Sequence, residues 1–487
     1  MAAKEFIVAI ELGSSKMTGI AGQKNLDGSI NVLAVVKEDS SLFIRKGVVY
    51  NIEKTAQCIA SIVKRLEAQL KRQITQVYVG VGGQSVRSVR NVIVRELPHD
   101  TIITQNMINE IMDENRFMQY NDLEILDAAA QEYKVDSQYQ LDPVGIQATR
   151  LEGNFLTILQ RKTFWKNLNK CFEMADINIA DMYTAPLALA ESVLTEAEKR
   201  SGCALVDIGS DTTTVAVYSK NILRHLAVIP LGGANITKDI ATSLRMEETE
   251  AEAMKLKYAS AYTENNEIDN SLNYSIDPTR QVESRRFIEI VEGRTEEIIE
   301  NVWYQIPSEF YDKLLGGIII TGGGSNMKNI DRAFINHTHI DKVRIAKFVN
   351  QTINSSNELI KAHNGMMNTL LGLLIKGRGD INCAGNEIDP NGDLFATTAS
   401  GTAAAKPDIR KPRQGYETPT GVVRTEAERQ RAEEEARIKR EEEERKKAEE
   451  EALRKQEEER IRRENSPWNK FKKGVKRIGN IIVSEDE

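Results

Sequence analysis

Three times along this chain a run of strand-forming apolar residues stops abruptly at glycine and small hydroxyl residues: "KEFIVAIELGSS" at Gly13, "GCALVDIGSDT" at Gly209, and "GGIIITGGGSN" at Gly322 to Gly324. This repeated layout constrains the fold more than any other feature. Short, continuous apolar runs read as buried strands, and amphipathic helical patterns such as "NIEKTAQCIASIVKRLEAQL" alternate with them, which gives an α/β fold. Glycine at a strand end lets backbone N–H groups approach a phosphate, Ser and Thr hydroxyls add donors, and an acidic residue there can hold Mg²⁺ through water. Taken singly, each loop is more often just a turn.

Order and separation change that. Two acid-x-Gly-Ser hairpins, "ELGSS" (Glu11 to Ser15) and "DIGSDT" (Asp207 to Thr212), lie about 200 residues apart, and "TGGGSN" (Thr321 to Asn326) follows about 115 later. They resemble the phosphate-1, phosphate-2 and adenosine loops of the actin, Hsp70 and sugar-kinase superfamily. The segments "TAPLALAESVLT" (Thr184 to Thr195) and "NGMMNTLLGLL" (Asn364 to Leu374) resemble its two connecting helices, and small Ala188, Ala190 and Gly372 permit them to cross closely. Within the superfamily, "VYVGVGGQSVRS", "AAAQEYKVD", "DPVGIQATRL" and "RHLAVIPLGGANITKDIA" are similar to the bacterial cell-division family FtsA, over about residues 5 to 376.

The resemblance implies a two-lobed actin-like fold of duplicated RNase H-like domains with an inserted subdomain. Lobe 1 would comprise residues 1–83 and 162–204, the insert 84–161, and lobe 2 residues 205–376. It further implies ATP with Mg²⁺ as cofactors. Gly13, Ser14, Ser15 and Lys16 would bind phosphate from one side, and Gly209, Ser210, Asp211 and Thr212 from the other, with Gly232 and Gly233 beside them. Glu11 and Asp207 would position Mg²⁺ through water, and Gly322, Gly323, Gly324 and Ser325 would receive adenosine. Glu252 and Lys255, one helical turn apart, fall where the superfamily contacts ribose or adenine; an ordinary surface pair explains them equally well. Two departures, Glu11 where most of the superfamily has Asp and Ser210 where a second glycine is common, leave nucleotide binding expected and weaken the case for efficient hydrolysis.

After residue 376 the composition changes. Residues 377–423, including "NGDLFATTASGTAAAKPDIRKPRQGYETPTG", carry too little apolar surface to repay ordering and read as a flexible linker. Residues 424–465 are about three-quarters Glu, Lys and Arg in blocks that set opposite charges three or four apart, while their few apolar residues keep no heptad; they read as a single charged helix, with disorder as the alternative. Then "SPWNKFKKGVKRIGNIIV" (466–483) opens on a Ser-Pro helix start. Trp468, Phe471, Val475, Ile478, Ile481 and Ile482 make one apolar face, and Lys472, Lys473, Lys476 and Arg477 fill the rest, the pattern of a helix lying in an anionic membrane surface, with the groove of a partner protein as the alternative.

With a net charge of -7, nothing global favours nucleic acid, and the four cysteines show no paired or metal-like spacing. No run reaches the roughly 18 apolar residues that span a bilayer. By resemblance, the expected partners are FtsZ, contacted around residues 245–306, an anionic membrane, further copies of the chain in a filament, and later division proteins. The expected place is the cytoplasmic face of the inner membrane at the division site. A small-molecule kinase or an Hsp70-like ATPase on the same scaffold is the alternative; the kinase needs a catalytic acid between the first two loops, and none stands out.

Overall fold

Phe6–Ile10 are buried because their strand, Ile7–Leu12, lies inside a six-stranded sheet. It pairs in parallel with Gln76–Val81 and antiparallel with Lys16–Lys24; Asn178–Thr184, Ile30–Asp39 and Ile353–Asn354 complete the sheet. A strand covered on both faces needs an unbroken apolar run rather than alternation, and "FIVAI" supplies one. Helix Ile52–Leu70 covers one face, capped by the Asn51 side chain and burying Ile59, Ile62, Val63 and Leu66. This computed structural model describes residues 6–275, 280–378 and 382–387.

The second sheet holds nine strands. Five belong to the second lobe: Val343–Ile345, Gly317–Thr321, Cys203–Ile208, Thr213–Ser219 and Ile222–Ile229. The remaining four, Arg87–Ile102, Gln147–Arg161, Leu123–Val135 and Gln138–Gln140, come from the inserted segment, whose own core packs against helix Gln105–Arg116. The two sets join where Arg87 pairs with Ala227. The insert thus leaves the chain from the first lobe but extends the sheet of the second, a seam that the division into subdomains did not contain.

Helices Ala185–Val193 and Asn368–Lys376 pack on each other, the second lying against Ile7–Leu12, Lys16–Lys24 and Gln76–Val81 of the first sheet and the first also touching Thr213–Ser219 of the second. A β-carbon on Gly372 would stand 2.6 Å from the Ala188 carbonyl oxygen, so this helix pair approaches as closely as the sequence suggested. Gly372→Val should destabilise the protein by about 1–3 kcal/mol through overpacking, read as a lower thermal midpoint; an unchanged midpoint would mean that the crossing tolerates a side chain.

One boundary needs correction. Residues 384–387, expected to fall in a linker that starts at 377, instead form a strand, Ala384–Glu387, against Arg72–Ile74. Cys383 is fully buried beside it, its N–H donating to the Phe6 carbonyl and its carbonyl accepting from Thr75. "NCAGNE" carries almost no apolar signal, so only its partner marks it as folded. The charged helix expected over 424–465 and the amphipathic helix over 466–483 lie outside the described residues. Among the described residues, no helix is long and apolar enough to cross a membrane.

Candidate functional site

The three glycine loops converge on one cleft of about 870 Å³. Glu11 sits near the end of its strand, level with Thr18 on one neighbour and Gly80 on the other. Asp207 holds the corresponding place in the second hairpin, level with Thr214 and Thr321. Glu11, Gly13, Ser14, Ser15, Lys16, Asp207, Gly209, Ser210, Thr212, Gly233, Glu252, Lys255 and Gly322 to Gly324 all line the cleft. Asp211, Gly232 and Ser325 do not.

Glycine is required where these loops touch. A β-carbon on Gly13 would lie 2.6 Å from the Lys16 carbonyl oxygen, and one on Gly322, whose φ is +85°, would lie 2.3 Å from Asp207 Oδ1. Helix Gly233–Leu244 docks by its first turn onto the second hairpin: the Gly233 N–H donates to the Gly209 carbonyl (2.9 Å) and the Ala234 N–H to that of Ser210 (2.8 Å). A β-carbon on Gly232 would lie 2.5 Å from the Ser210 carbonyl oxygen, so the glycine pair serves the docking. Ser325 is buried and spends its hydroxyl on the Gly322 carbonyl (2.7 Å), which holds the third loop in shape.

A single turn bridges the two hairpins. The Gly47 N–H donates to Ser14 Oγ (2.7 Å), and the adjacent Lys46 N–H donates to Asp211 Oδ2 (3.0 Å). Asp211 therefore acts away from the cleft wall, as a tie between the lobes. At the opposite end, Lys255 Nζ donates to the Gly233 carbonyl (3.0 Å) and Thr237 Oγ1 (2.8 Å) and pairs with Glu252 (2.7 Å). Glu252 and Lys255 are thus a cleft-lining pair bound into the helix that starts at Gly233.

Burial controls the electrostatics. It pushes the Glu11 carboxyl up to about 7, partly opposed by the Lys16 ammonium and reinforced by Asp207. Burial also raises Asp207 to about 6 and lowers Lys16, the latter partly offset by Glu11. Two carboxylates facing one cavity at the cost of desolvation form a hard-oxygen donor pair. Among the described residues no group of three or more His, Cys, Asp or Glu side chains could hold a metal unaided. That combination fits Mg²⁺, which takes one or two carboxylates and completes its shell with water and substrate phosphates. When bound, such an ion would neutralise phosphate charge beside Glu11 and Asp207.

The sequence did not point to Gly80, Gly82 and Gly83, although "VYVGVGG" displays them, nor to Tyr258, Tyr274, Ile298 and Met327 at the apolar end of the cleft. No local pattern marks the latter four, because they come from separate elements.

Comparison with known proteins gives the lineage. The family described as "Cell division protein FtsA" matches residues 204–363, and "SHS2 domain inserted in FTSA" matches 83–159. The cell division protein FtsA of Pseudomonas aeruginosa is 31% identical over 333 residues, spanning 66% of this chain and 79% of that protein. This chain belongs to the FtsA family. The FtsA of Neisseria meningitidis serogroup B is 33% identical over 334 residues, covering 67% and 80%, and that of Bacillus subtilis 30% over 339, covering 67% and 75%. A solved structure of the PilM-PilN type IV pilus biogenesis complex superimposes with a TM-score of 0.54 at 16% identity, over 76% of this chain and 98% of that one, a likeness of fold alone. The protein is a cell-division protein of the FtsA family with an actin-like fold.

Proposed function

We propose that this chain is an ATP-binding adaptor that polymerises on the inner membrane face, ties FtsZ filaments to the membrane and recruits later division proteins. The observation that carries the nucleotide half is the convergence of Gly13–Lys16, of Gly209, Ser210 and Thr212, and of Gly322–Gly324 on one cleft that also presents Glu11 and Asp207. Backbone N–H groups and Ser14, Ser15 and Thr212 hydroxyls would bind the phosphates, Lys16 would balance their charge, and the third loop with Glu252 and Lys255 would receive the nucleoside. The two carboxylates would position Mg²⁺ against the phosphates.

The membrane half rests on the sequence of residues 466–483, and the FtsZ contact is assigned to residues 245–306, which include helix Ser284–Gln305. A weak amphipathic anchor suits this role, because a filament presents many copies at once and their effective concentration converts reversible single contacts into firm attachment. The test is sedimentation of FtsZ with phosphatidylglycerol vesicles. FtsZ should pellet when this protein and Mg–ATP are both present and remain in solution without the protein. Equal pelleting of FtsZ in the two cases would remove the tethering role.

A further inference from the structure

The insert occupies an unusual mechanical position. Its entry and exit stems, Gly82–Ser85 and Gln160–Arg161, lie side by side: Gln160 Nε2 donates to the Gly82 carbonyl (3.1 Å) and the Arg161 N–H to Ser85 Oγ (3.2 Å). Gly82 and Gly83 line the cleft itself. Gly83, at φ +86°, packs so tightly that a β-carbon would lie 2.3 Å from the Gly47 carbonyl oxygen. Gly47 in turn belongs to the turn whose two N–H groups hold Ser14 and Asp211. The stem of the insert therefore touches, through one turn, both phosphate hairpins.

Directly beyond this stem the insert is fastened to the other lobe. Beyond the Arg87–Ala227 pairing, Ser88 Oγ accepts the Leu226 N–H (2.8 Å) and donates to the Leu226 carbonyl (3.2 Å). Arg224, only 9% exposed, reaches Glu132 (3.1 Å) and Gln131 Oε1 (3.4 Å) on the insert, and Lys220 joins Glu132. Leu156 and Ile158 of the insert join Leu205, Ala216 and Leu226 in an apolar core that also takes in Val81 and Phe172 of lobe 1. This seam is packed and charge-paired, whereas the stem contains two consecutive glycines. Any movement of the lobes about the crossed helices would have to be taken up at this stem or at this seam.

We infer that the insert travels with lobe 2 and is a coupling element: occupation of the cleft by a nucleoside triphosphate and any load on the insert are linked through the Gly82–Gly83 stem. Coupling is reciprocal, so a load on the insert that alters nucleotide affinity is itself altered to the same extent by nucleotide, and loosening the seam should disturb that affinity. The inference rests on the reading of the cleft as a nucleotide site, and the experiment separates the two.

Mg–ATP binding by calorimetry is compared for the unaltered chain, Glu132→Ala, Ser88→Ala and the distant surface variant Tyr139→Ala. Hydrogen exchange on the unaltered chain is followed with and without Mg–ATP, so the result does not depend on how well a seam variant folds. Affinity should shift by about fivefold or more in the two seam variants, the lower end of ordinary allosteric coupling, and by less than about twofold in Tyr139→Ala. Exchange should change over residues 80–86 on adding Mg–ATP and stay constant over 222–229. If the unaltered chain binds Mg–ATP while seam variants keep its affinity and the stem keeps its exchange, the coupling is wrong and the nucleotide site stands. If the unaltered chain binds no nucleotide, both fall.

Discussion

Removal of residues 466–487 is expected to abolish cosedimentation with phosphatidylglycerol vesicles, with at least a tenfold loss of membrane affinity, while Mg–ATP binding stays unchanged. The apolar face predicted for Trp468, Phe471, Val475, Ile478, Ile481 and Ile482 contributes several kcal/mol when inserted at about 25 cal/mol per Å², and each Lys or Arg held near an anionic surface adds about 1 kcal/mol before screening. Ordering a short helix offsets part of that sum, so a single anchor of this kind would bind reversibly. Ile478→Glu in the full-length chain should reproduce most of the defect, since it places a carboxylate in the middle of the apolar stripe beside an anionic surface. Raising the salt concentration should weaken binding of the unaltered chain, because the basic half of the helix is screened. If the shortened chain pellets with vesicles as the full chain does, attachment resides in the folded body and the anchor reading is wrong.

The legible part of this protein is the part in which one residue type has one physical use. Gly322 is unavoidable where φ is +85° and Asp207 lies against it, and Gly372 is unavoidable where two helices touch. Such constraints leave a mark in the sequence at the position that bears them. Their order along the chain then carried the fold. Ser325 shows the opposite case: a hydroxyl in a glycine loop suggests a ligand donor, yet it is consumed by the loop's own Gly322 carbonyl. Asp211 likewise lies in the expected loop but ties down the Lys46 N–H from the other lobe. Residue type gave the neighbourhood, and only geometry gave the partner.

Long-range contacts left no such mark. Nothing in "NILRHLAVI" sets Arg224 apart, and its partners are Glu132 and Gln131, more than ninety residues earlier. Ala384–Glu387 is a strand because Arg72–Ile74 offers an edge, and nothing in "AGNE" favours that conformation. The apolar end of the cleft is invisible for the same reason: Tyr258, Tyr274 and Met327 become one wall only after three elements have packed.

Asp207→Asn separates what this cleft costs from what it does. Burial holds the Asp207 carboxyl at about 6 against an ordinary 3.8, so the folded chain keeps this proton more tightly than the unfolded chain. Below the ordinary value the group is neutral in both states and imposes no cost. As pH rises towards 6 the unfolded chain ionises first, stability falls, and above 6 the full penalty persists, with an upper bound of about 3 kcal/mol. The amide removes the charge and keeps the shape. The variant should therefore melt higher than the unaltered nucleotide-free chain at pH 8, with the advantage vanishing towards pH 4. The same change removes one of two carboxylates available to Mg²⁺, so Mg–ATP should bind at least tenfold more weakly and should raise the melting temperature correspondingly less. Glu11, raised to about 7 by burial and by the Asp207 charge, should move down when that charge is gone, which shifts the remaining pH dependence to a lower range. A stabilised fold with a weakened nucleotide complex is the signature of strain held for a ligand. A variant that binds Mg–ATP as tightly as the unaltered chain would place the metal elsewhere, and one that gains no stability at pH 8 would mean that solvent or a neighbouring cation already offsets the buried charge.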